Sequence, residues 1–455
     1  MKTTRDMTRG NLWVGILLFS LPLIVSNLLQ VLFNMADIVV VGQFCGSAAL
    51  GSVGSTATMV ALLTGILIGF GSGINAITAK AIGARDREGV GRCVHTGFLL
   101  ALLIGLSVFL LSFFGARPLL LLLGTKPELL DDALLYMRVY SCGMPALALY
   151  NWGQAVLSAA GDTRRPLYFL TLAGIINVSL NILFVTSLGM GVFGVALASI
   201  LSQYLSAVLT VFAICLSRQD YRLRLSRLRL SGGEARVTLA LGLSAGMQNA
   251  ICQFANLFVM AGVNTFPTLI VKGNSAAQSA DALVYDVMAA FYTACTSFMG
   301  QNYGAGDIPR VRKSYFISLT YSFGAGALLG GGLVLFGRQF LSLFTPEADV
   351  VEAGMMRLTV LGLSYAVSAF MDCTLAASRG LGKSLIPTLY MLLGSCAFRL
   401  IWIYTVFAAF RTVPSLYLLY VFSWAITAVF EILYFARIWK KAKQITKPSK
   451  ISAPV

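Results

Sequence analysis

Apolar residues run along this chain in long stretches, broken by short polar and basic segments. A helix needs about 20 apolar residues to cross the hydrocarbon core of a bilayer. About twelve stretches are that long: 12–43, 51–78, 93–115, 133–158, 166–186, 191–216, 237–262, 275–299, 314–337, 354–377, 386–410 and 414–436. Several exceed the minimum, so tilt or protrusion is expected. The runs are too continuous for the in–out alternation of a β-barrel, and open strands would leave backbone groups unpaired in lipid. The pattern predicts an all-α membrane protein.

Composition agrees. Hydrophobic residues make up 57% and charged residues 11% of the 455 positions, where a soluble domain carries roughly a quarter charged. The formal net charge of +16 is no sign of nucleic-acid binding, because no basic face with interleaved aromatics exists. Lys and Arg gather instead in alternate loops. Arg5 and Arg9, Arg85 and Arg87, Arg164 and Arg165, Arg218 to Arg236, Arg310 to Lys313, Arg379 with Lys383, and Arg437 to Lys450 fall on one side. Only Arg117, Lys126, Arg138, Lys272, Arg338, Arg357 and Arg411 fall on the other. The positive-inside rule then places both termini in the cytoplasm and calls for an even number of crossings. The basic N-terminus followed by a long apolar stretch lacks a small-residue cleavage site, so it reads as a first helix that stays attached.

The chain repeats itself. Gly83-Ala84-Arg85-Asp86 returns as Gly304-Ala305-Gly306-Asp307, and Gly161, Thr163 and Pro166 return as Gly382, Ser384 and Pro387 in the same register. Pro127-Glu128 and Met137-Arg138 return as Pro346-Glu347 and Met356-Arg357. Two halves of six helices follow, parallel because an even number of crossings returns the chain to the same side, with the substrate site expected between them. The expected division is an N-lobe over 1–217, a basic cytoplasmic linker over 218–236, a C-lobe over 237–439 and a cytoplasmic tail over 440–455. The linker reads as a tether on anionic headgroups, and the tail as disordered.

Ionisable residues inside a membrane are costly and mark function. In the first half Asp37 is such an acid, about 10 Å from the outer end of its helix at 1.5 Å per residue. Asn34 shares its face, and Asn27 and Gln30 extend that polar stripe inward. Asn177 and Asn181, spaced i and i+4, and Ser199 lie at comparable depth on the fifth and sixth helices. A carboxylate, two amides and a hydroxyl would suit Na⁺ or a proton held on Asp37; packing amides are the other reading of the asparagines. In the second half the seventh helix carries Gln248, Asn249, Gln253 and Asn256, the eighth Asp281 and Asp286, the tenth Asp372, the eleventh Arg399 and the twelfth Glu431. Asp372 and Glu431 lie about 10 Å from the cytoplasmic end, within reach of a snorkelling Arg399. This trio reads as a structural ion pair, or Asp372 as a second coupling or cation-binding acid. Tyr150, Gln154 and Gln203 add aromatic and amide groups suited to a flat organic cation; ordinary helix packing explains each taken singly.

Enzyme signatures are absent: no G-x-S-x-G, Walker loop or HExxH occurs. One histidine, His95, cannot build a His-rich metal site and reads as a loop or interface residue. The eight cysteines show no CxxC spacing and read as small packing residues. No cofactor is expected beyond a coupling H⁺ or Na⁺.

Asn34-x-x-Asp37-x-x-x-x-Gly42, Gly161-Asp162-Thr163-x-x-Pro166, Gln301-Asn302-Tyr303-Gly304-Ala305-Gly306-Asp307 and Arg379-Gly380-Leu381-Gly382-Lys383-Ser384 together resemble the multidrug and toxic compound extrusion (MATE) transporters of bacteria, over nearly the whole chain. That resemblance implies two six-helix lobes, export of organic cations by H⁺ or Na⁺ antiport, and a monomer in the bacterial cytoplasmic membrane. It places Asp37 at the family's first-helix acid. Asn181 stands where some members have an aspartate, which weakens the case for family-type Na⁺ binding, and Ser199 where a threonine is often found. Gln248 and Gln253 are neutral where some members carry a glutamate, which leaves Asp372 or Asp286 to couple through the second half. A lipid or glycan-precursor flippase of related fold, and a metabolite exporter, are the alternatives.

Overall fold

The computed structural model describes residues 6–343 and 345–445; Lys2 and Arg5, and the tail beyond residue 445, lie outside them. The described residues form thirteen helices and no strand: α1 (Leu12–Cys45), α2 (Gly46–Gly83), α3 (Arg87–Leu122), α4 (Pro127–Ser141), α5 (Met144–Ala159), α6 (Arg164–Ser187), α7 (Gly191–Cys215), α8 (Gly232–Val263), α9 (Thr268–Gly304), α10 (Ile308–Ser342), α11 (Ala348–Gly380), α12 (Leu385–Phe410) and α13 (Val413–Ile445). Ten are long and apolar enough to cross a membrane. Two further crossings complete twelve. One is the pair α4–α5, foreseen as a single span, which breaks at Cys142–Gly143. Pro145 has no N–H to give the carbonyl of Ser141, and the Tyr204 hydroxyl takes up the carbonyl of Cys142 at 3.0 Å. The other is α8, whose apolarity is diluted by Gln248, Asn249, Gln253 and Asn256.

Most helices run several residues past the apolar stretches. Their ends are capped: the side chain of Asp86 accepts from Gly89 N at 2.8 Å and that of Asp307 from Arg310 N at 2.9 Å. These two aspartates close the repeated loop motif, and the residue before each is left-handed, Arg85 at φ 55° and Gly306 at φ 76°. The repeat seen in the sequence is therefore a repeat of turn geometry. Gly83 and Gly304 belong to the same motifs, and each sits against backbone. A Cβ on Gly83 would fall 1.8 Å from the carbonyl oxygen of Gln301, and one on Gly304 2.0 Å from that of Lys80. Backbone cannot swing aside as a side chain can, so Gly83→Ala should destabilise the purified protein by about 1–3 kcal/mol, read as a lowered midpoint in a thermal melt.

The chain divides into two compact units: Met1–Asp6 with Leu18–Thr78 and Asp86–Met260, and Met7–Leu17 with Ala79–Arg85 and Ala261–Val455. Nearly all of α8 thus falls in the unit that contains the first repeat. In that unit α2 and α8 touch backbone to backbone, since a Cβ on Gly69 would lie 2.4 Å from Gly246 N and one on Gly73 2.5 Å from Gly242 N. There α7 packs against α4, α5 and α6. In the second unit α9, α10 and α11 pack on one another and α11 on α13.

The segment between the repeats lies against α3. Tyr221 and Leu223 are buried, the Arg224 N–H donates to His95 Nε2 at 3.1 Å, and Ser231 N donates to Thr96 Oγ1 at 3.1 Å. His95 Nδ1 in turn donates to the Gly91 carbonyl at 2.6 Å, which assigns the neutral tautomer with a free lone pair on Nε2. Helix α8 begins at Gly232, inside the stretch read as linker. His95→Ala would leave the Arg224 amide without its acceptor, a cost of roughly 1–3 kcal/mol. Amide exchange at Arg224 should then speed up by about tenfold or more, while the helix cores stay protected. The eight cysteines are all free thiols.

Candidate functional site

The first unit gathers the acid of α1 with polar groups from α6 and α7. Asn181 Nδ2 donates to Asp37 Oδ1 at 2.5 Å and lies 3.4 Å from Asn177 Oδ1. The Ser199 hydroxyl is 3.4 Å from Asp37 Oδ2 and 3.1 Å from the carbonyl of Val195, and Asn177 Nδ2 lies 3.5 Å from Ser199 Oγ. The spacing explains the meeting. Asn177 and Asn181 are one turn apart on α6, and Ser199 faces them from α7. Asn177, Asn181 and Ser199 are buried, while Asp37 is half-buried.

The two carboxylate oxygens are unequal. Oδ1 holds a short amide bond. Oδ2 has only a hydroxyl with a single hydrogen, and that hydrogen has a nearer acceptor in the Val195 carbonyl. A proton placed on Oδ2 can be donated to Ser199 Oγ without displacing any bond already made. Asn181 Oδ1 is fully buried and has no hydrogen-bond partner among the described residues; a buried acceptor left unmet is a cost that a proton donor or a cation would remove.

Both site helices change pitch just beyond these residues. α1 widens to a π turn over Val41–Cys45 and α6 over Leu183–Ser187. Such turns often accompany functional sites, and nothing in the hydropathy pattern signals them. One turn past Asp37, Val40 and Val41 join Val185, Val192, Val195 and Tyr136 in a buried cluster. Val185 and Val192 also line a cavity of about 360 Å³ that includes Phe44, Asp132 and Phe193.

The other candidates are spread more widely. In the same unit Asn34 is exposed, Gln154 half-buried, and Tyr150 packed in an apolar cluster with Ala146 and Ala207. Gln203 Oε1 abuts Gly143 at the α4–α5 break. On α8, Gln248 is buried, Asn256 half-buried and Gln253 exposed, and Asn249 Nδ2 donates to the Gly65 carbonyl of α2 at 3.1 Å. In the second unit Asp286 is half-buried and Asp372 buried. Asp372, Arg399 and Glu431, the trio expected in this half, all lie in this unit and are all buried. Among the described residues neither oxygen of the fully buried Glu431 nor Asp372 Oδ2 has a hydrogen bond; the Arg399 guanidinium lies over the Tyr420 ring at 4.5 Å and its Nε donates to Ser423 Oγ at 3.4 Å.

An ion pair buried in this unit joins α9 and α11. Arg357 Nη2 meets Asp281 Oδ2 at 2.5 Å, and its Nη1 donates to Asn274 Oδ1 at 2.8 Å. The Tyr365 hydroxyl donates to Asp281, and the Tyr417 hydroxyl to Asn274 Oδ1 at 3.0 Å. Arg357 counts among the outer-side cations of the sequence although it falls inside the 354–377 stretch; the helix begins at Ala348. An aspartate on the eighth span and an arginine on the tenth were the signal available.

Comparison with known proteins decides the lineage. The MatE family profile matches residues 22–183 and 245–405, one segment in each repeat. The chain belongs to the MatE family. It is 28% identical over 362 residues to the Bacillus subtilis protein named "Probable multidrug resistance protein YpnP", covering 79% of this chain and 80% of that one. It is 26% identical over 370 residues to the "FAD transporter" of Shewanella oneidensis, covering 80% and 81%. Among solved structures, a MOP superfamily transporter from Pyrococcus furiosus superposes with a TM-score of 0.89 at 23% identity, covering 96% of this chain and 98% of that one. The all-helical fold of two six-helix repeats is thus that of MATE transporters, and the chain is a multi-pass membrane transporter of a multidrug efflux family.

Proposed function

We propose that this MatE chain exports organic cations in exchange for protons, as a monomer in the bacterial cytoplasmic membrane with both termini in the cytoplasm. The observation that carries the reading is the unequal pair of oxygens on Asp37, one tightly bonded and one open. An ionised Asp37 attracts a cation, and a protonated one releases it. A single carboxylate that cannot serve both ligands couples their movements, provided the proton binds one state of the transporter better than the other. A proton needs only Oδ2 and Ser199 Oγ. Sodium would draw on oxygens of Asp37, Asn177, Asn181 and Ser199, and would ask Asn181 to turn its oxygen toward Asp37 at the loss of the 2.5 Å bond. That comparison favours H⁺. Drugs as cargo are supported by relatives named as multidrug resistance proteins, and their cationic class rests on the Asp37 carboxylate.

The test is efflux of ethidium from proteoliposomes under a pH gradient or a Na⁺ gradient imposed separately. Efflux under the pH gradient alone is the expected result; efflux under Na⁺ alone would transfer coupling to sodium. A second reading rests on the relative named as an FAD transporter: export of an anionic dinucleotide. FAD efflux without ethidium efflux under the same gradients would replace the first reading by the second.

A further inference from the structure

A groove of about 760 Å³ opens at the basic end of the second unit, where the N-terminal segment, the start of α10 and the end of α13 meet. Its walls are Trp13, Phe316, Ile317 and Trp439, and its rim carries Arg312 and Lys313. The walls are fixed. Trp13 stands edge-on to Tyr321 at 5.4 Å, and the Tyr321 hydroxyl donates to the Trp13 carbonyl at 3.2 Å; Trp439 stacks on Phe435 at 6.1 Å. A third cation of the lining, Arg310, is already committed. It donates to Asn302 Oδ1 at 3.0 Å and to the carbonyls of Gly10, Met7 and Arg9 at 2.9, 3.1 and 3.2 Å, holding the N-terminal segment in place. Arg312 and Lys313 have no such task. Both are exposed, Arg312 lies over the Phe316 ring at 5.6 Å, and neither has an acidic partner among the described residues.

We propose that this groove is a binding site for one molecule of anionic glycerophospholipid. Its phosphate would lie between Arg312 and Lys313, and its acyl chains against Phe316, Ile317 and the two tryptophans. The lining decides the occupant. A soluble anion has no use for four large apolar walls, and an uncharged lipid none for two cations that lack an acidic partner among the described residues. Tryptophans at helix ends are the usual anchors at headgroup depth, and each basic side chain there favours anionic over neutral lipid. The groove lies in the unit without Asp37, so the site stands independently of the coupling reading.

The test uses the full-length protein, purified in detergent and examined by native mass spectrometry with equimolar phosphatidylglycerol and phosphatidylcholine. The expected result is a retained one-to-one phosphatidylglycerol adduct, preferred by on the order of tenfold. Arg312→Gln with Lys313→Gln should remove the preference. Arg227→Gln with Arg229→Gln, the same charge change on exposed linker residues, should leave it. Inorganic phosphate added in excess should not displace the lipid. Equal retention of the two lipids by the wild-type protein, equal loss in the two double variants, or displacement by phosphate would each overturn the proposal. The wild-type competition decides even where a variant fails to fold.

Discussion

Asp37→Asn should reduce gradient-driven efflux to the rate seen without a gradient, and leave the protein folded. The fold should survive because the local bonding can be remade. Asn181 Nδ2, now 2.5 Å from Asp37 Oδ1, would still find an amide oxygen. The new N–H donor would face the Ser199 Oγ, which now lies 3.4 Å from Asp37 Oδ2. Exchanging one satisfied hydrogen bond for another changes stability by no more than about 1 kcal/mol. Transport should not survive. An amide carries neither a titratable proton nor a charge, so the coupling ion gains nothing by binding one state over the other, and a ligand without that difference shifts no equilibrium. The measurement is ethidium efflux from proteoliposomes under an imposed pH gradient, with a thermal melt of the same preparation to establish folding. A melting midpoint near the wild-type value with efflux at the leak rate is the expected pair. Efflux at the wild-type rate would remove Asp37 from the mechanism. Asp37→Glu keeps the charge while displacing it by one methylene, so it should retain part of the activity.

How far the sequence reaches depends on the range of the interaction. Hydropathy is summed over some twenty residues, so the helices and the parallel repeat were legible, and the repeated loops proved to share capping aspartates and left-handed turns. Helical spacing put Asn177 and Asn181 on one face, and depth counting put Asp37 and Ser199 at their level; the structure brings the four within hydrogen-bond reach. Depth counting says nothing of azimuth. Asp372 and Glu431 share a depth with Arg399 set deeper, and that count could not foresee that the Arg399 guanidinium lies over the Tyr420 ring. The break between α4 and α5 was missed because apolar residues flank it on both sides, although Gly143 and Pro145 stood in plain view. The π turns beyond Asp37 and Asn181 have no local sequence signature. The packing of α8 with α2 depends on pairs of glycines far apart in the chain, which no windowed average reports.

Asp281→Ala is expected to cost about 3–5 kcal/mol of stability, the range for breaking a buried ion pair from one side. Arg357 explains why. Its side chain is 6% exposed, it begins more than two turns inside α11, and its charge is met by one carboxylate, the Asn274 amide oxygen and the faces of Tyr417 and Tyr420 at 5.4 Å. Without Asp281 the guanidinium keeps an amide and two ring faces, none carrying a full charge, and the Tyr365 hydroxyl loses its acceptor as well. Arg357→Met should cost less, since Asp281 would keep the Tyr365 donor and is more exposed, at 17%. The double variant Asp281→Leu with Arg357→Met should recover most of the loss, because a well-packed apolar pair of similar volume often replaces a buried ion pair without cost. Thermal melts of the four proteins in one detergent give the order: wild type and double variant highest, Arg357→Met between, Asp281→Ala lowest. A double variant no more stable than Asp281→Ala would instead mean that the site does not accept an apolar pair in place of the ions. The lost stability is lodged where α9, α11 and α13 meet, so amide exchange in Asp281→Ala should accelerate first in those three helices.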